Sequence, residues 1–158
     1  MKRKDYIDWE SYFMGVAILS SKRSKDPVTQ VGACIVNNEN RIVAIGYNGL
    51  PNNCSDDKFP WDKVGSLSQT KYAYVCHAEL NCILNRETSI KDCKMYVTLF
   101  PCNECAKAII QSGIKEIIYL DDKYINSEQS VAAMQMFQSA NVKITKFNKT
   151  IDSIKIVY

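Results

Sequence analysis

Residues 94–120 read KMYVTLFPCNECAKAIIQSGIKEIIYL, and the fold is decided there. Lys94 to Leu99 is a short run rich in β-branched and aromatic residues, the pattern of a strand. Cys102 to Ser112 then reads as a helix, with Gly113 in the position just past a helix end where glycine is favoured. Pro101 fits the opening of that helix, where a missing N–H costs nothing. Lys115 to Leu120 is a second strand. Strand, helix and strand in such quick succession predict a crossover unit of a parallel sheet.

Working outward, Ser127 to Ala140 predicts a helix opened by Ser127 and Glu128, and Val142 to Phe147 a last strand. On the other side, His77 to Arg86 predicts a helix. Val31 to Val36 and Arg41 to Tyr47 predict a β-hairpin turning through Asn37–Asn40 and left through Asn48-Gly49. Trp9, Phe13, Val16 and Ala17 recur at helical spacing after a capping Asp8, so the first helix should run to about Arg23, before Asp26-Pro27 breaks it. Leu50 to Thr70 loses all periodicity and is longer than most connections in compact domains. The order α-β-β-α-β-α-β-α-β is of the α/β class.

A chain of 158 residues that is 46% hydrophobic suits one domain, read here as 1–148 with a tail at 149–158 in which Ile154 and Ile156 alternate. The first ten residues lack the apolar segment of a signal peptide, and no stretch approaches membrane-spanning length. The expectation is a soluble, cytoplasmic protein with no membrane partner. Seven scattered cysteines, an odd number, read as reduced thiols. The net charge of +3 is spread along the chain, so a footprint for nucleic acid is absent, whereas a small anionic ligand needs only two or three cations.

The chemistry concentrates in His77-Ala78-Glu79 and Pro101-Cys102-Asn103-Glu104-Cys105. Cys102 and Cys105, three apart at a helix start, face one side, and His77 can reach the same point if the two helices lie side by side. Alone, a Cys-X-X-Cys pair is equally a redox couple or half of a structural zinc site. With His77, the single histidine of the chain, it forms a three-ligand set, and catalytic zinc sites keep a fourth position open for water. The joint pattern H-x-E with P-C-x-x-C is already on record as the zinc-deaminase signature, so it is matched here and not discovered. Two thiolates and an imidazole neutralise zinc and make its water less acidic, which leaves Glu79 to carry protons. Otherwise Glu79 is an acid complementing a helix dipole. Cys76 adjoins His77 but should point elsewhere.

From Trp9 to Phe147 the chain resembles the deoxycytidylate deaminases of eukaryotic type, within the cytidine/deoxycytidylate deaminase family. The resemblance is carried in order by Ser24-Lys25-Asp26-Pro27, Gln30 to Val36, Gly46-Tyr47-Asn48-Gly49, Cys54-Ser55-Asp56-Asp57, Tyr74 to Asn81 and Leu99 to Lys107. It implies a three-layer α/β/α sandwich with a five-stranded mixed sheet, hydrolysis of dCMP to dUMP and ammonia for thymidylate synthesis, activation by dCTP, inhibition by dTTP, and a homo-hexamer.

The resemblance also implies substrate contact by Asn48, although Asn-Gly equally suits a left-handed turn. The segment Gly46, Tyr47, Asn48 and Gly49 matches the family's effector region. Ser24 and Lys25 are candidates for the substrate phosphate. Lys123 and Tyr124 are candidates for phosphate and ring, because they follow a strand on the carboxyl edge where open α/β sheets bind ligands. Some family members bind a second zinc through an additional histidine; with only His77, one zinc per subunit is expected. The rival readings are a deaminase of free nucleoside, tRNA adenosine or single-stranded nucleic acid, and a non-catalytic zinc-stabilised module in which Glu79 is dispensable.

Overall fold

The structure, a computed structural model, describes residues 1–150. Its elements are α1 (Trp9–Ser21), β1 (Gly32–Val36), β2 (Ile42–Tyr47), α2 (Ala78–Leu84), β3 (Lys94–Leu99), α3 (Asn103–Gln111), β4 (Glu116–Asp121), α4 (Glu128–Ser139) and β5 (Lys143–Lys146). Two short 3-10 turns, Leu67–Gln69 and Lys71–Ala73, precede α2. The order is the one the periodicity predicts. The alternating Ile154 and Ile156 lie outside the described residues.

The strands form one sheet in the order β2-β1-β3-β4-β5. β1 is antiparallel to both neighbours, while β3, β4 and β5 run parallel, so the sheet is mixed. Both sheet faces are buried, and the period of two assigns successive side chains to opposite cores. Ala33, Ile35, Met95, Val97 and Ile117 pack with α2, α3 and α4 residues such as Cys82, Ile109 and Phe137. Their sequence neighbours Cys34, Val36, Tyr96 and Ile118 pack instead with Phe13, Met14 and Ala17 of α1. The result is α1 on one face and three helices on the other, the α/β/α sandwich. Each large apolar side chain taken fully from water, as Phe13 and Ile117 are, stabilises this arrangement by about 1.5–3 kcal/mol.

Two glycines let helices press onto opposite faces of the hairpin. A Cβ on Gly32 would stand 1.9 Å from the Ala17 carbonyl oxygen of α1. One on Gly46 would stand 2.4 Å from the Cys82 nitrogen of α2. Asn81 Nδ2 strengthens the second contact by donating to the Tyr47 carbonyl at 2.8 Å. α2 is thereby seated on β2, and its first turn, which carries Glu79, is fixed relative to the sheet.

Boundaries differ from the sequence reading for identifiable reasons. His77 and Cys102, read as first helical residues, have extended backbones and are N-caps of α2 and α3. α2 ends at Leu84 instead of Arg86, because Arg86 turns back and its Nη1 donates to the Ile83 carbonyl at 2.6 Å. Trp9, expected on the apolar face of α1, is exposed and stacks on Phe13 at 5.5 Å between ring centroids.

Candidate active site

α2 and α3 lie side by side on one sheet face, and their N-caps meet beyond the carboxyl end of β3. His77 Nδ1 is 3.4 Å from Cys102 Sγ and 3.4 Å from Cys105 Sγ. All three donor atoms lie within 4.8 Å of one another, and among the described residues this is the one such group of three or more metal-ligating side chains. A tetrahedral zinc with ordinary Zn–S and Zn–N lengths separates its sulfur and nitrogen donors by about 3.6 Å, so the residues fit that ion. The donor chemistry agrees. Cys102 is drawn down to about 4, first by the Cys105 thiol donating to it and then, against burial, by His77. The same bond pushes Cys105 up, and the Cys102 thiolate pushes His77 up to about 9. Three groups competing for protons at one point are groups a shared cation can replace those protons on.

Glu79 follows in the first turn of α2 and is 4% exposed. Burial raises its carboxyl above the ordinary 4.5, and His77 only partly offsets that. Among the described residues no lysine or arginine pairs with it. It opens into a cleft of about 510 Å³ that also touches His77 and Cys102. Val31, Val75, Ala78, Leu99 and Phe100 give that cleft apolar walls. The cleft thus offers a flat ring a greasy slot in which the Glu79 carboxyl lies beside two of the three ligand residues, His77 and Cys102.

The structure brings some sequence candidates to the cleft and leaves others outside. Asn48 and Tyr124 line it. Asn48 is 6% exposed; its Oδ1 accepts from the Val31 N–H at 2.8 Å and its Nδ2 donates to the Thr29 carbonyl at 2.9 Å. The left-handed turn considered for Asn48-Gly49 is corrected: neither residue has positive φ, because Gly49 instead bridges Cys76 through two backbone hydrogen bonds. Gly46 and Tyr47 belong to β2, with Gly46 under α2.

Ser24 and Lys25 do not line the cleft. Ser24 Oγ accepts from the Asp26 N–H, and Lys25 is ion-paired with Asp56. Lys123 also stands outside, its Nζ 4.9 Å over the Tyr124 ring. Cys76 is absent from the converging ligand atoms.

Two charged residues that sequence reasoning did not assign to the site, Asp26 and Lys71, line the cleft together. Lys71 Nζ lies 2.7 and 2.6 Å from the two carboxylate oxygens of Asp26. Both side chains are buried. Burial alone would raise the Asp26 carboxyl, but Lys71 and the N–H groups of Val28 and Thr29 outweigh it and hold it below 3.8. The Asp26-Pro27 step carried one signal: an aspartate there can bond the N–H two residues on, as it does to Val28 at 2.9 Å.

Comparison with known proteins agrees with this geometry. The family described as cytidine and deoxycytidylate deaminase zinc-binding region matches residues 7–121. The deoxycytidylate deaminase of Homo sapiens is 60% identical over 148 residues, spanning 92% of this chain and 83% of that protein. That of Mus musculus is 58% identical over 157 residues, spanning 98% and 88%. The dCMP deaminase of cyanophage S-TIM5, crystallised with dCMP and dUMP, superposes with a TM-score of 0.71 at 25% identity, covering 90% of this chain and 100% of that one. A zinc-competent trio, a buried acid beside it and a match over most of the length all carry one implication: the chain belongs to the cytidine and deoxycytidylate deaminase family.

Proposed function

We propose that the protein is a deoxycytidylate deaminase, hydrolysing dCMP to dUMP and ammonia. The observation that carries this reading is the buried Glu79 in the same cleft as His77 and Cys102. Support for the nucleotide comes from the relatives of Homo sapiens and Mus musculus and from the cyanophage enzyme crystallised with dCMP and dUMP.

His77 Nδ1, Cys102 Sγ and Cys105 Sγ would hold one zinc per subunit. Bound there, zinc supplies Lewis-acid activation of a water near neutral pH. The apolar walls hold the cytosine ring and exclude bulk water. Glu79 takes a proton from the attacking water and delivers it to the ring nitrogen beside the reacting carbon. It then passes the second water proton to the amino group, which leaves as ammonia, while the oxygen remains on the ring as the new carbonyl. Its raised affinity for protons suits a group that must both accept and donate. Asn48 has both amide hydrogens turned to the protein, weakly so toward Asp26 Oδ2 at 3.5 Å, and so meets substrate as an acceptor through Oδ1. Tyr124 contributes ring and hydroxyl at the mouth.

The same reading includes activation by dCTP and inhibition by dTTP through the Gly46–Gly49 segment, assembly as a homo-hexamer, and supply of dUMP for thymidylate synthesis in the cytoplasm. The seven free cysteines support a reducing compartment. The test is a comparison of kcat/KM for dCMP, deoxycytidine and a single-stranded oligonucleotide on the zinc-loaded chain. dCMP should lead by orders of magnitude; equal rates on all three would overturn the assignment. Steepening or shifting of the dCMP saturation curve by dCTP, and sedimentation as six subunits, check regulation and assembly.

A further inference from the structure

A substrate that carries a phosphate needs a cation at the cleft, and the lysines suggested by sequence do not supply one there. Lys25 is neutralised by Asp56 outside the cleft, and Lys123 lies over the Tyr124 ring without lining the cleft. Of the two lysines in the cleft wall, Lys71 is locked onto both oxygens of Asp26. The other is Lys63, exposed and with no acidic partner within ion-pair distance among the described residues.

Lys63 belongs to the long segment between β2 and α2, and that segment is held in place. The carbonyl of Asp62, its neighbour, accepts from the Lys71 N–H at 3.0 Å. Trp61 Nε1 donates to the Asp56 carbonyl at 3.0 Å, and Phe59 packs edge-on against Tyr74 at 5.0 Å. The buried Asp26–Lys71 pair therefore fixes the backbone beside Lys63 while leaving its ammonium unpaired in the cleft wall. Tyr124 and Gln129 line the same cleft and present uncharged donors.

We propose that Lys63 is the residue by which this chain reads the 5′-phosphate of its substrate, and so the one that separates nucleotide from nucleoside. The proposal rests on the dCMP reading above. A phosphate monoester carries close to two negative charges at neutral pH, and a hydrogen-bonded cation strengthens its binding far more than a neutral donor does. The long segment then has a stated purpose: it delivers a charge to a cleft whose other lysine is neutralised.

The experiment measures, on the zinc-loaded chain, the ratio of kcat/KM for dCMP over deoxycytidine in the wild type, Lys63→Ala, Lys63→Arg, Lys63→Glu and Lys58→Ala. Lys58 is an exposed lysine of the same segment outside the cleft and should leave the ratio as it is. Lys63→Ala should lower the ratio about ten- to a hundredfold, chiefly through the KM for dCMP, as loss of a charged hydrogen bond does. Lys63→Glu should lower it further, and Lys63→Arg should restore most of it. Inhibition by dUMP should weaken in parallel. A wild type that prefers dCMP while Lys63→Ala keeps that preference overturns the role of Lys63 alone. A wild type indifferent to the phosphate overturns the substrate reading and this proposal together.

Discussion

Two acids lie in the wall of one cleft, equally hidden from water and treated oppositely. Asp26 is 3% exposed and Glu79 is 4% exposed. Asp26 has a buried ammonium on both oxygens, two backbone donors and a carboxyl held below 3.8. Glu79 has no such cation, and its carboxyl is raised by burial. Burial of a charge without a full partner is unfavourable, and folds tolerate it chiefly where chemistry needs it. The contrast separates the acid that builds the cleft from the acid that works in it.

The largest effect should come from Glu79→Gln. The amide keeps the shape and removes the proton carrier, so kcat should fall about 10²- to 10⁴-fold or more in a steady-state assay, with bound zinc unchanged by metal analysis. The melting temperature should stay level or rise, because the substitution deletes a buried charge without a full partner. A large fall in stability instead would collapse the distinction between the two acids.

Next comes the pair. Lys71→Met strands a buried carboxylate and should lower unfolding stability by about 3–5 kcal/mol in urea titration. Lys71→Met combined with Asp26→Asn removes both charges and should recover part of that loss; strict additivity would mean the two groups do not act as a pair.

pH sharpens the contrast further. The Asp26 carboxyl is depressed in the folded protein, so its contribution is fully present above the unfolded value of 3.8 and is lost as pH falls through the lower folded value. The stability gap between wild type and Asp26→Asn should be flat at neutral pH and shrink below about pH 3.8, as read by thermal melts. The smallest effect is expected at the exposed ion pair: Lys25→Ala should change stability by about 0–1 kcal/mol, and less in high salt.

Much of this was legible in the residues. Strand and helix periods gave all nine main elements in order, because the central strands are dense in buried apolar residues and the edge strands β2 and β5 keep β-branched residues between turn signals. His77, Glu79, Cys102 and Cys105 were legible because a metal site demands rare residue types at fixed spacing. The Asp26–Lys71 pair was not. Its partners are 45 positions apart, and charged residues in loops read as solvated until folding closes the distance. Lys63 was hidden for the same reason, in a segment without periodicity. Lys25 looked available as a free cation until Asp56, 31 positions away, folded against it. For Asn48 a left-handed turn stood beside the substrate contact that the resemblance implied, because nothing local reveals that Val31 and Thr29 hold both ends of its amide.

The position of the three ligand atoms has a consequence for the whole chain. His77 stands 25 positions from Cys102 and 28 from Cys105, with α2 and β3 between them. An ion gripped at that point ties off a circuit of chain much as a disulfide does, in a protein whose described cysteines are all free. By the loop-entropy rule for cross-links, closing a circuit of that length removes about 3.5 kcal/mol of freedom from the unfolded ensemble. A chelator should therefore loosen the polypeptide between His77 and Cys102 toward proteolysis as well as silence the enzyme.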